Sequence, residues 1–214
     1  MENEKKKNTL LLAIIAVAVL LVAVGGATFA YFAAQVGSGT TVNVTATTQS
    51  TDQLTFDAAA IVVGPATQAN FGQGQGNQTG TGQATVTLKA NTTASATYCY
   101  TAGLSVTSND FVYTTAGETP ELTVTATKNS TTVLNAYDIT EMRTGTVSFP
   151  TALNGNTNTH TITASANGTT TDTWNVTVTF VNLNSDQSLQ GAGEANNLDK
   201  AFSGSVVFTK VNCS

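Results

Sequence analysis

Residues able to do chemistry are few in this 214-residue chain. There is one histidine, His160 in NTHTITA, and there are two cysteines, Cys99 and Cys213. A zinc protease needs two histidines on one face of a helix, and HExxH does not occur. A serine nucleophile needs a base, and a single histidine without a G-x-S-x-G elbow builds no triad. His160 therefore reads as a surface or edge histidine of a strand. Asp186, Glu194 and Asp199 share one polar stretch, but their spacing matches no calcium loop. They read as a solvated acidic loop. No residue is assigned to catalysis, to a metal or to a cofactor.

The cysteines allow other chemistry. Two thiols are half a metal site, and no histidine stands near either in sequence. In an oxidising compartment a pair is more often bridged than free, so Cys99–Cys213 is the expected disulfide, with separate thiols as the alternative. Asn-x-Ser/Thr, the acceptor motif for glycosylation, occurs at Asn43, Asn77, Asn91, Asn129, Asn167, Asn175 and Asn212. Thr and Ser together make about a quarter of the chain, so several such motifs arise by chance. The motif alone does not establish a glycan.

The compartment is read from the first three dozen residues. Lys5, Lys6 and Lys7 precede an apolar run from Leu10 to Val24, followed by Gly25, Gly26 and Ala27. A cationic head, an apolar middle and a small-residue exit form a secretory signal. Thr28-Phe29-Ala30 suits the shallow pockets of a signal peptidase, placing the cut between Ala30 and Tyr31; Gly25-Gly26-Ala27 is a second candidate. Left uncut, the run to Ala34 is long enough to span a bilayer, which takes ~20 apolar residues. The chain leaves the cytoplasm in both cases, and contacts the membrane only before cleavage in the first.

Residues 31–39 follow as an apolar segment with a Gly37-Ser38-Gly39 hinge, and 40–214 are long enough for one domain with its own core. Removing Glu2, Glu4 and the three lysines from 13 acidic and 8 basic residues leaves 11 against 5. That balance excludes nucleic acid as partner, since phosphates need a basic face. Charged residues are only 10% of the chain, and threonine takes their place. A β-branched, weakly polar residue suits a half-wet pleated surface.

Alternation then places the strands. Thr40–Thr48 puts Val42, Val44 and Ala46 on one face. Gln53–Val63 holds one or two strands, with Leu54 and Phe56 inward and Ile61–Val63 as a short buried run, broken by Gly64-Pro65. Residues 66–83, rich in Gly, Gln and Asn, have no apolar period and read as a long exposed loop. Further strands follow through Val86 and Leu88, Tyr100 to Val106, Leu122 to Ala126, Thr131–Tyr137, Thr144–Phe149 and His160–Ser165. Asp172–Leu183 is the clearest, with Trp174, Val176, Val178 and Phe180 on one side. A polar connection with a helical turn at Glu194–Phe202 leads to a last strand, Ser205–Asn212, with Val207 and Phe208 inward. Nine to eleven short strands imply an all-β, jelly-roll-like β-sandwich preceded by the N-terminal signal or apolar helix.

At GGATFAYF, after the lysine-headed run, the chain resembles the signal region of the TasA/camelysin family of exported β-proteins. A second match lies at Trp174–Leu183, followed by Asp186-Gln187 and by Lys200-Ala201-Phe202 before the terminal strand. The resemblance implies a secreted structural subunit of surface or biofilm-matrix fibres, a homopolymer whose partner is another copy of itself. Its freed N-terminal strand, Tyr31, Phe32, Ala33, Ala34, Gln35 and Val36, would enter a neighbouring subunit as a donor strand. The disulfide, the low lysine content and the Thr/Asn richness depart from Bacillus-type members. The alternatives are a membrane-anchored monomeric adhesin and a camelysin-like protease, for which the chain carries no recognisable residues.

Overall fold

The computed structural model describes residues 52–67, 72, 74–114, 118–153, 155–184, 187 and 196–213. Ten strands lie among them: β1 Gln53–Asp57, β2 Ala60–Val63, β3 Gln78–Lys89, β4 Ala96–Asn109, β5 Leu122–Lys128, β6 Thr131–Asp138, β7 Gly145–Ser148, β8 Thr159–Ala164, β9 Thr169–Phe180 and β10 Phe202–Val211. They form two antiparallel sheets, one ordered β1-β3-β9-β5-β6 and the other β2-β10-β4-β7, with β8 pairing the first half of β4. The all-β sandwich is as expected. The N-terminal apolar run and the Thr40–Thr48 strand lie outside the described residues.

Alternation explains the core. Trp174, Val176, Val178 and Phe180 are all fully buried, facing inward from β9 as their spacing demands. Leu122, Val124 and Ala126 of β5 and Ala84, Val86 and Leu88 of β3 complete the same layer. Tyr100, Leu104 and Val106 answer from β4 in the opposite sheet. Trp174 is the largest piece: Phe149 stacks on it at 5.6 Å and His160 meets its edge-on ring at 4.8 Å. At the other end Phe111 stacks on Phe180 at 4.9 Å.

Several expectations need correction. Strand β3 starts at Gln78, inside the stretch read as loop to residue 83. Gly80 and Gly82 occupy inward positions there because β2 lies too close for a side chain: a Cβ on Gly80 would land on the Val62 carbonyl, and one on Gly82 would sit 2.9 Å from Ile61 Cγ1. Glycine carries no apolar signal, so alternation could not reveal the strand. The run Ile61–Val63 is not wholly buried: Val62 is 62% exposed on the outer face, while Ile61 and Val63 point in. In β10 the inward residues are Phe202, Gly204 and Val206, with Phe208 packed against the core, and Val207 faces outward. Val206 opposite Leu104 sets that parity. In the described part of Glu194–Phe202 there is no helix, only a turn at Leu198-Asp199.

Two substitutions test this packing by denaturant titration. Trp174→Ala should cost about 3–5 kcal/mol, because a large side chain leaves a cavity that close-packed neighbours cannot fill. Gly80→Ala should cost about 1–3 kcal/mol by overpacking against β2. Gly76→Ala, where an added Cβ meets nothing within 4 Å, should leave the midpoint unchanged.

Candidate functional site

The two sheets end side by side in short strands. On one flank the edges are β1 and β2, joined through residues 58–59; on the other they are β6 and β7. Strand β7 is four residues long and pairs only with Gly103–Val106 of β4. Strand β6 is irregular, with register shifts against β5 on both sides of Ala126, and Ala136 has φ 45°. These interruptions keep the two edges from closing on each other.

Between β6 and β7 lies a groove of about 540 Å³. Leu134 and Tyr137 line it from β6, Val147 from β7, and Met142 and Pro150 from the connecting segments; Gly155, Asn156 and Asn158 form a polar rim. Tyr137 is 49% exposed, one of three large apolar side chains so displayed among the described residues. Among the described residues no further strand lies next to these edges, and a trough of mixed apolar and polar lining beside them offers two things at once. Backbone groups give hydrogen bonds to an extended segment, and the trough takes alternate side chains.

The polar interior of the sandwich is occupied by its own groups. Asp172 accepts from Tyr100 Oη at 2.7 Å and Asn129 Nδ2 at 2.8 Å, and pairs with Lys128 Nζ at 2.9 Å. Trp174 Nε1 donates to Tyr100 Oη at 3.2 Å, so the core tryptophan, tyrosine and carboxylate form one chain. Burial first, then Asp172, pushes the Tyr100 phenol up, leaving it a proton donor. Glu121, fully buried, accepts from Thr114 Oγ1 at 2.7 Å, Gln187 Nε2 at 2.7 Å and Asn197 Nδ2 at 2.6 Å. It ties the segments before β5 and before β10 together. These groups find their partners within the chain.

The expected site residues fall as follows. Ala30, Tyr31, the rest of the segment to Val36, and Asn43 lie outside the described residues, as do Asp186 and Glu194. Asp199 lies in an exposed turn with φ 59°. Among the described residues no cluster of three or more His, Cys, Asp or Glu could hold a metal. Cys99 and Cys213 come to disulfide distance, S–S 2.13 Å and Cα–Cα 5.2 Å, which joins the chain end to β4. Asn77, Asn91, Asn129, Asn167, Asn175 and Asn212 are all exposed. Asn129 is already engaged: its Oδ1 accepts from Thr173 N and its Nδ2 donates to Asp172. The reading of His160 as a surface group is wrong. It is on an edge strand yet only 2% exposed, stacked on Tyr100 at 5.4 Å, with Nε2 2.9 Å from the Phe149 carbonyl. Sequence reasoning missed the groove, whose residues come from four separate segments. No family model matches the chain, and no curated protein is similar to it.

Burial lowers the His160 pKa below its ordinary value near 6.5; nearby Lys128 pushes the same way, while the Phe149 carbonyl and Asp172 oppose. The unfolded chain then takes up a proton first as pH falls, so stability is full above about 6.5 and declines below it. Urea midpoints between pH 7.5 and 5.5 should fall for the natural protein. In His160→Gln that part of the slope should vanish; an unchanged slope would mean that another group is responsible.

Proposed function

We propose that the chain is a secreted structural subunit of extracellular surface or matrix fibres, joined head to tail by the Tyr31–Val36 segment of one copy lying in the β6–β7 groove of the next. The groove carries this reading. It has apolar walls from Leu134, Tyr137, Met142, Val147 and Pro150, polar groups from Thr146, Ser148, Asn156 and Asn158, and strand edges along its sides, where an inserted strand could find both side-chain contacts and backbone partners. Its place on the molecule adds support. Strand β1, the first of the described strands, lies on the flank opposite the groove. A segment of one copy lying in a groove of the next is a heterologous contact, which propagates into an open filament when its rotation does not close a ring.

The strand order favours the jelly-roll form of sandwich. With β1 and β8 set aside, the remaining eight strands run first-eighth-third-sixth in one sheet and second-seventh-fourth-fifth in the other. Export fits the cysteine pair, since disulfides persist mainly outside the cytosol. These features agree with the TasA/camelysin resemblance of the signal region and of Trp174–Leu183.

The experiment compares purified protein beginning at Tyr31 with protein beginning at Gly37, by negative-stain microscopy and sedimentation. The longer form should polymerise. The shorter should stay monomeric with the same melting temperature, and should bind the six-residue peptide in trans. Tyr137→Glu, at the half-exposed groove wall, should also cut fibre yield without unfolding the protein. Fibres forming equally well without the six residues would sink the donor-strand mechanism.

A further inference from the structure

Strand β5 ends its inward row on a lysine. Leu122, Val124, Ala126 and Lys128 alternate with threonines, and of these only Lys128 is charged. It pairs across the ladder with Trp174, two residues beyond Asp172, and its side chain reaches along β9 to that carboxylate. Nζ stands 2.9 Å from Asp172 Oδ2 and 5.5 Å from the centre of the Tyr100 ring. The Lys128 side chain is 19% exposed and that of Asp172 8%. Three donors divide the carboxyl between them. Lys128 Nζ and Tyr100 Oη both meet Oδ2, the latter at 2.7 Å, while Asn129 Nδ2 donates to Oδ1 at 2.8 Å. Asn129 is itself fixed: its backbone N–H donates to the Thr173 carbonyl at 2.8 Å, and its Oδ1 accepts from Thr173 N at 2.8 Å. Behind Tyr100, Trp174 Nε1 donates to Oη at 3.2 Å.

From this arrangement we infer that Lys128 and Asp172 condense into an amide, an isopeptide cross-link between β5 and β9 that the chain forms by itself. Lys128 gives one Nζ proton to Oδ2, leaving a neutral amine beside a carboxylic acid. The Nζ lone pair attacks Cγ, and the negative charge that develops on Oδ1 is met by the Asn129 amide. The Cγ–Oδ2 bond then breaks. Oδ2 already carries one proton, takes a second from Tyr100 and departs as water; Tyr100 recovers a proton from the attacking nitrogen. One ammonium and one carboxylate become one amide and one water, with no oxidant, reductant or activating group. Trp174 Nε1 steadies the phenolic oxygen while its proton is away. Bulk water holds free amine and acid apart as ions. Groups fixed in one fold meet at effective concentrations that reach ~10⁵–10⁸ M, which reverses that balance. The amide also removes two charges that the interior holds at a desolvation cost. The cross-link is independent of the fibre reading, and its test needs no fibre.

The test digests the purified chain with trypsin after reduction and alkylation, and reads the peptides by tandem mass spectrometry. The link should block cleavage after Lys128 and join the peptide 90–143 to the peptide 144–200, the pair lighter than its sum by one water. Lys128→Arg keeps a cation against Asp172 but offers no amine to acylate. It should fold, be cleaved after residue 128 and give peptides of full mass. Tyr100→Phe, sampled at successive times after synthesis, should link about a hundredfold more slowly, the usual worth of a placed proton donor. Peptides ending at Lys128 in full yield from the natural chain would mean an ion pair only, and overturn the inference. So would a water lost within the Asp172 peptide alone and persisting in Lys128→Arg, since that is closure of Asp172 on its own backbone. An unchanged rate in Tyr100→Phe overturns the proton route.

Discussion

The β3–β9 ladder is the constraint from which the rest of the structure follows. Twelve consecutive residues pair on each strand, at the centre of a five-stranded sheet. A ladder of that length has two faces with opposite demands. Inward it must present volume, which Trp174, Val176, Val178 and Phe180 supply from β9. Outward it must present polarity without helix-forming side chains, and threonine does this while keeping a β-branched carbon on the pleat. The low charge and high threonine content of the whole chain are the same requirement repeated on strand after strand.

Where the ladder's inward row runs out of apolar residues, hydrogen bonds take over. Asp172 stands two residues before Trp174, in an inward position, and is held by Tyr100, Lys128 and Asn129. A buried carboxylate without those partners would cost several kcal/mol, so the cluster is a single unit. The Trp174–Tyr100 hydrogen bond makes the aromatic core part of it, and His160 fills the remaining space between the rings. At the far end Glu121 plays the corresponding part among loops, with Gln187 and Asn197 as donors. The polar groups at both ends of the sandwich thus find their partners within the chain.

The fold was legible wherever apolar and polar letters alternated without interruption. Trp174–Phe180 and Leu122–Ala126 could be placed on one face from the sequence because each inward position carries volume. Gly80 and Gly82 were not legible, since their inward role is to have no side chain beneath β2. Val206-Val207-Phe208 was ambiguous for the opposite reason: three apolar residues in a row hold no parity, and only pairing with Leu104 settles it. His160 was misread because its burial depends on a carbonyl at Phe149 and a ring at Tyr100, eleven and sixty residues away. The groove was invisible for the same reason at larger scale. Leu134, Tyr137, Met142, Val147 and Pro150 are unremarkable one by one, and only the sheet edges bring them together.

The flanks are asymmetric in how the two sheets meet. At the β1–β2 flank the two sheets are linked by two residues, β2 lies over Gly80 and Gly82, and Val206 N reaches the Ala59 carbonyl at 2.9 Å. Backbone approaches backbone there, between β2 and β3. At the β6–β7 flank the edge strands are bulged or short, the connecting segments carry the apolar side chains, and a groove stays open. The two sheets thus meet by backbone contact on one flank and leave a groove between them on the other.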